Sequence, residues 1–158
     1  MTADPKAVVA ALWETVCARN WNLVKQHLSV DCVYLDMPTG PTLAARGPDD
    51  IVKRLKVALE PLAGYTGFPG VMLSDKDDVM YEHSERWTWE SGETALLNFV
   101  SVHKVIDGKI ALWKDYWDFA AIANHAPPTW IESMSSADMS WIYDATGKVS
   151  PFLVGEHE

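Results

Sequence analysis

Cysteine is scarce in this chain: Cys17 and Cys32 are the two among 158 residues. Two thiols cannot build the disulfide framework of a small secreted domain. A reducing, cytoplasmic setting is therefore expected, with both thiols acting as small core hydrophobes. Basic charge is scarce too. Thirteen Lys and Arg stand against 22 Asp and Glu, a net charge of −9. Nucleic acid and anionic membranes demand a basic footprint, so neither is an expected partner. No run of ~18 apolar residues is present to span a bilayer. The start, Met-Thr-Ala-Asp-Pro-Lys, lacks the apolar h-region of a signal peptide. Five scattered histidines and two cysteines show no zinc-like spacing, so no metal site is expected. What the chain does have is tryptophan, eight in all. Either the core is built of large rings or a pocket is lined with them.

The N-terminal part reads as helical. Asp4-Pro5 supplies an N-cap and a proline at the first helical position. Val8, Val9, Leu12, Trp13 and Val16 recur at helical spacing. Asn20-Trp21-Asn22 interrupts before a short second helix through Leu28. Cys32 to Pro38 alternates like a strand and places Cys32, Tyr34 and Asp36 on one face. A loop from Thr39 to Gly47 precedes a helix opening at Pro48-Asp49-Asp50, with Ile51, Val52, Leu55, Ala58 and Leu59 as its buried stripe. Tyr65 to Val71 is glycine-rich and reads as irregular, with a short strand at Val71 to Leu73.

Three long alternating segments follow. In Val79 to Trp89 one face carries Met80, Glu82, Ser84, Arg86 and Thr88. The other carries Tyr81, His83, Glu85, Trp87 and Trp89, with Trp87 and Trp89 read as sheet packing or a dimer contact. After a Ser91-Gly92 turn, Thr94 to Ile106 sets Leu97, Phe99, Ser101 and His103 on its inward face. Asp107-Gly108 is a strong hairpin signal. It delivers Lys109 to Phe119, where Asp115 sits between Trp113 and Trp117 on one face. Both faces of that strand are mostly apolar, which predicts a central strand covered on each side. Helices first and a meander afterwards predict an α+β fold, with helices packed on a curved antiparallel sheet. One domain over residues 1–126 is expected, followed by an aromatic tail over 127–158 that acts as a lid or a dimer arm.

A carboxylate among indoles is costly unless it is paired. With Arg86 read as inward, its guanidinium could hold Asp115 and Asp36 together. A carboxylate fixed in this way can take a proton from water or from a substrate hydroxyl. A buried ion pair between Arg86 and Asp115 with no catalytic task fits the same spacing. His103 reads more readily as a satisfied core residue than as a catalyst. Trp113 and Trp117 read as pocket walls or core. Ser84 and Ser101 lack the strained glycine elbow of a nucleophilic serine.

Three segments carry a family resemblance: Tyr34-Leu-Asp-Met-Pro38, Ser84-Glu-Arg-Trp-Thr88 and Gly108-Lys-Ile-Ala-Leu-Trp-Lys-Asp-Tyr-Trp-Asp118. The chain resembles the limonene-1,2-epoxide hydrolase family of the nuclear transport factor 2-like (NTF2-like) superfamily, which includes SnoaL and ketosteroid isomerase-like proteins. The resemblance spans about residues 5–122. It implies a cone-shaped α+β fold whose N-terminal helices close a deep apolar pocket, a homodimer, a small hydrophobic or aromatic substrate, and no cofactor. It makes Asp115 the general base, Tyr34 a holder of the attacking water and Arg86 the bridge between carboxylates. Asp36 stands where the family has asparagine, and becomes a second base. Thr88 stands where the family has the aspartic acid that protonates the epoxide. Threonine has no titratable proton near neutral pH, so this acid is missing. Leu97, Phe99, Trp117 and Ile122 match pocket positions, with His103 where a larger ring would be expected.

The missing acid favours a cofactor-independent lyase that cleaves a C–C or C–O bond of a hydroxylated aromatic compound. Some superfamily members look like enzymes that deformylate lignin-derived diarylpropane diols to stilbenes. In that reading Asp115 and Asp36 act as base, with Tyr34 or His103 passing the proton. An epoxide hydrolase with its acid relocated to Asp36 or His103, and a non-catalytic binding module, are the alternatives.

Overall fold

The computed structural model describes residues 3–153. Helix α1 spans Pro5–Cys17, and its first turn is capped by the Asp4 side chain, which accepts from the Lys6 N–H at 3.1 Å. Helix α2 covers Trp21–His27 and runs into strand β1, Leu28–Asp36. A 3₁₀ turn at Pro41–Leu43 and the short β2, Ala44–Arg46, lead to helix α3, Pro48–Leu59. Strands β3 (Gly64–Asp75), β4 (Asp78–Thr88), β5 (Thr94–Ile106) and β6 (Lys109–Trp117) form the meander. Helices α4 (Ala120–Ala123) and α5 (Pro128–Met134) and strand β7 (Ile142–Tyr143) complete the chain.

All seven strands form one curved, unclosed sheet in the order β3-β4-β5-β6-β1-β2-β7. Every pairing is antiparallel except β1 with β6, which run parallel and set Asp36 beside Asp115. The β5–β6 hairpin closes at Asp107 and Gly108, both with positive φ (50° and 73°), as a two-residue type I′ turn requires.

The glycine-rich segment from Tyr65 to Val71 is not irregular. It belongs to β3, paired with β4 through a register shift between Pro69 and Met72. Its glycines mark close approaches instead. A Cβ on Gly67 would lie 2.5 Å from Cys17 Sγ, and one on Gly70 would lie 2.2 Å from the Glu82 carbonyl oxygen.

The inward face of the sheet and the buried stripes of α1 and α3 make the main core. Val9, Leu12, Trp13 and Val16 of α1 meet Tyr81, Trp87, Phe99 and Trp113 of the sheet. A smaller cluster lies on the outer face of β1 and β6. There Leu35, Ala44 and Leu112 pack against Tyr143, Ala145, Val149 and Phe152 of the C-terminal segment. Lys114 Nζ also donates to the Ser150 carbonyl at 3.2 Å. Strand β6 is thus covered on both faces. Farther along the sheet, Val71, Leu73, Met80, Leu96, Val100 and Ile106 remain exposed.

Candidate active site

Between the sheet, α3 and the C-terminal segment lies a cavity of about 480 Å³. Its wall is aromatic: Trp13, Tyr34, Tyr65, Trp87, Phe99, Trp113, Trp117, Phe119, Trp130 and Trp141 all border it. The polar groups on that wall are few: Asp36, Thr39, Arg54, Glu85 and Asp115, besides the tyrosine hydroxyls and indole N–H groups. Residues Trp130, Ile131, Met134, Met139 and Trp141 of the C-terminal segment close one side. Among the described residues no group of three or more His, Cys, Asp and Glu side chains converges as a metal ion would need.

Asp115 is held by three donors. Ser101 Oγ and Trp113 Nε1 donate to Oδ1 at 2.6 and 2.7 Å, and the Tyr34 hydroxyl donates to Oδ2 at 3.1 Å. A carboxylate accepts about four hydrogen bonds, so Oδ2 keeps capacity toward the cavity. Burial pushes the Asp115 carboxyl up to about 7, against the three donors that favour its charged form; the nearby Asp36 pushes the same way. Behind it, His83 Nε2 lies 2.8 Å from Ser101 Oγ. The serine gives its single proton to Asp115, so the histidine must be the donor, as the Nε2–H tautomer. His83 stays neutral, because burial lowers it to about 4. Its ring is stacked between Tyr81 and Phe99, with Trp13 4.2 Å away.

Asp36 stands next to Asp115 on the adjacent strand. Its Oδ2 accepts from Arg54 Nη2 at 2.6 Å and its Oδ1 from Trp117 Nε1. Burial raises the Asp36 carboxyl, and the guanidinium opposes that rise. The Arg54 guanidinium also lies over the Trp141 ring, 5.3 Å from its centre.

Glu85 is a third buried carboxyl on the same wall. It accepts from the Tyr65 hydroxyl at 2.6 Å and from Trp87 Nε1 at 2.9 Å. Burial pushes it up to about 7.

Several expectations need correction. Arg86 does not enter the cavity. It is exposed on the outer face of β4, with its guanidinium 5.2 Å from the centre of the Phe68 ring. The register Tyr81-His83-Glu85-Trp87-Trp89 faces inward instead, because it carries four of the strand's bulky rings or ring-like side chains and buries far more apolar area. Arg54 of α3 is the arginine that meets a carboxylate. Thr88 shares the outer register with Arg86, packs against Gly64 of β3 and does not border the cavity. Leu97, Ser101 and His103 are buried on the inward face as expected, but they lie beneath the wall rather than on it. His103 accepts from Trp13 Nε1 at 3.1 Å through Nε2, and burial lowers it to about 3. It is a neutral core residue whose one N–H, on Nδ1, is buried beneath the wall and does not face the cavity. Tyr34, Asp36, Phe99, Trp113, Asp115, Trp117 and Ile122 do border the cavity.

No family model matches the sequence, and no curated protein matches it. Solved structures do match the fold. An LEH-like epoxide hydrolase from M. tuberculosis superposes with a TM-score of 0.66 at 20% identity, covering 78% of this chain and 89% of that one. An NTF2-like protein of unknown function from Burkholderia pseudomallei K96243 gives 0.68 at 19% identity, covering 77% and 96%. A SnoaL-like polyketide cyclase from Shewanella putrefaciens CN-32 gives 0.68 at 10% identity, covering 76% and 83%. The chain has the NTF2-like fold. The α+β architecture expected from sequence is therefore the one found. At these identities the likeness is one of fold, and an NTF2-like scaffold hosts unrelated chemistries on one cavity. What this NTF2-like chain does has to be argued from the Asp115, Asp36 and Glu85 carboxyls themselves.

Proposed function

We propose that the chain is a cofactor-independent lyase that cleaves a C–C or C–O bond of a hydroxylated aromatic small molecule. The observation that carries this reading is Asp115, a carboxyl poised near neutrality on the wall of an aromatic cavity and hydrogen-bonded to Tyr34. A base is most effective when its pKa lies near the working pH. Arginine and indole donors on Asp36 keep a second carboxylate fixed beside it.

For a diarylpropane-1,3-diol of the kind lignin yields, the steps balance without any oxidant. Asp115 takes the proton of the primary hydroxyl. The C–C bond to that carbon breaks, and formaldehyde leaves. The released electron pair forms the C=C bond of the stilbene as the C–O bond to the benzylic hydroxyl breaks. Tyr34 protonates the departing oxygen as it leaves, giving water, and recovers its proton from Asp115. Tyr34 has a pKa held well above its ordinary value by burial and two nearby carboxylates, so this transfer is concerted with bond breaking. Arg54 offers positive charge to the developing oxyanion. The test is formaldehyde release and stilbene fluorescence from 1,2-diarylpropane-1,3-diols. Full activity in Asp115→Asn overturns the mechanism.

A second reading, epoxide hydrolysis, is favoured by one observation. Asp36 stands beside Asp115 on the adjacent strand and borders the same cavity, where it is the candidate for the acid that Thr88 cannot supply. Asp115 would then activate water and Asp36 would protonate the opening epoxide. Oxygen from ¹⁸O-water in a diol product supports this reading; no turnover across terpene and aryl epoxides counts against it.

The exposed apolar outer face of β3 to β5 suits a second copy of the chain. We place the homodimer contact there.

A further inference from the structure

The mechanism leaves one buried carboxyl on the cavity wall unused. Glu85 lies on β4, opposite Leu97 of β5, whereas Asp115 lies on β6, opposite Ser101. Four residues of β5 separate those two registers, about 13 Å along the strand. The two carboxyls therefore stand at different registers of one cavity wall, with the Phe99–Trp117 pair between those registers, and Asp115 is near enough for its charge to raise Glu85.

The Glu85 end is built for a hydrogen-bond donor. Its oxygens each hold one donor, from Tyr65 and Trp87, and roughly two acceptor positions remain. The ion pairs among the described residues all use other carboxylates: Asp31, Asp36, Asp49, Asp50 and Asp78. A buried carboxyl without a cation is a cost the fold carries unless a bound group offsets it. The same part of the wall is lined with indoles. Trp130 of α5 packs on Trp87, with ring centres 6.0 Å apart, and borders the cavity. Its indole Nε1 is buried with no partner among the described residues. Trp141, on the same wall, has a buried Nε1 in the same condition.

We propose that Glu85 is a specificity-determining residue, receiving the phenolic hydroxyl of a distal aromatic ring whose partner ring lies at Asp115. The Tyr65 hydroxyl, 2.6 Å from Glu85, shows that the carboxyl already accepts a phenol on one side. A substrate phenol takes the opposite side, with Trp87 and Trp130 against its ring. The substrate class is then an elongated two-ring molecule with a free hydroxyl on the ring remote from the bond being cleaved. This rests on the aromatic-substrate reading above, but it can fail separately.

The test is binding, which needs no turnover. Tryptophan quenching is titrated with 4-hydroxystilbene, 4-methoxystilbene and 4-(aminomethyl)stilbene. The wild-type protein is expected to bind the phenol about tenfold more tightly than its methyl ether. That preference should fall to threefold or less in Glu85→Gln, vanish in Glu85→Leu and survive in Asp115→Asn. Equal binding of phenol and ether by the wild type overturns the proposal, whether or not either Glu85 variant folds. So does a preference lost in Asp115→Asn and kept in Glu85→Gln, or tighter binding of the ammonium probe than of the phenol. Absence of formaldehyde release with the phenol preference intact would sink the lyase reading and leave this site standing.

Discussion

Arg54 reaches from α3 to Asp36 at 2.6 Å while its guanidinium covers the Trp141 ring, so one side chain ties helix, sheet and C-terminal segment together. The pair is largely out of water, with side chains 14% and 5% exposed. Removing one partner of such a pair strands the other charge, at a cost of about 3–5 kcal/mol. Arg54→Met should therefore destabilise the chain by roughly that amount in urea unfolding. Adding Asp36→Asn should recover much of the loss, since the stranded carboxylate is gone. Arg86→Ala should shift stability by less than about 1 kcal/mol, because it gives up only an exposed contact with Phe68. A larger effect at Arg86 than at Arg54 would contradict the placement of both.

Asp115→Asn removes the proposed base while keeping the shape of the side chain. A positioned general base contributes about 10²–10⁴ in rate, and turnover of the diol should fall within that range. The thermal midpoint should stay close to that of the wild type, because the buried charge and its desolvation cost disappear together. Loss of activity with an unfolded protein would leave the role unproven, so circular dichroism accompanies the assay. An intact fold with wild-type kcat would refute the role.

Much of this site was legible in the sequence, and the part that was not failed for a specific reason. Tyr34, Asp36 and Asp115 share inward registers that simple alternation finds. Trp113 and Trp117 follow from the same period. On β4 the face carrying Arg86 turns outward, because the mass of Tyr81, Trp87 and Trp89 outweighs one charge. Buried area decides the face of a strand, and a buried glutamate follows its register if donors are there to meet it. For Glu85 those donors are Tyr65 and Trp87, and Tyr65 lay in a segment whose glycines hid a strand. Arg54 left a fainter trace: it follows Ile51 by three and precedes Ala58 by four, which puts it at the edge of the buried stripe of α3. The partner of that arginine comes from a distant strand, and helical periodicity holds no information about it.

Ser101 and His83 set the environment of Asp115 from behind the cavity wall. The serine donates to the carboxylate, and that bond favours its charged form. In Ser101→Ala the donor is gone and the carboxyl should titrate at a higher pH than in the wild type. The wild-type kcat/KM should rise through pH of about 7 as Asp115 loses its proton. The variant profile should move to higher pH, with partial rescue of rate under alkaline conditions. His83→Phe keeps the stack on Tyr81 and Phe99 but frees the serine to rotate, so a smaller shift in the same direction is expected. A profile that stays put in Ser101→Ala would show that another group governs it.

The buried acids and histidines act on stability with opposite signs. Asp115 and Glu85 titrate in the fold at about 7, above ordinary carboxyl values near ~4. Between those limits the unfolded chain has already released protons the fold still holds, so stability falls as pH rises. His83 and His103 titrate at about 4 and about 3, below the ordinary ~6.5. Between about 4 and 6.5 the unfolded chain holds protons the fold refuses, so stability rises with pH. Two groups of each kind nearly cancel, and urea unfolding of the wild type should change little from about pH 4.5 to 6.5. The double variant Asp115→Asn/Glu85→Gln removes the falling pair and leaves the rising one. Its stability should climb across the same window, with a slope relative to the wild type approaching ~2.7 kcal/mol per pH unit for two protons. Surface carboxylates are common to both proteins and drop out of the difference. Parallel profiles for the two proteins would mean that neither carboxyl holds its proton into neutral pH, and the acid–base account of the cavity would lose its footing.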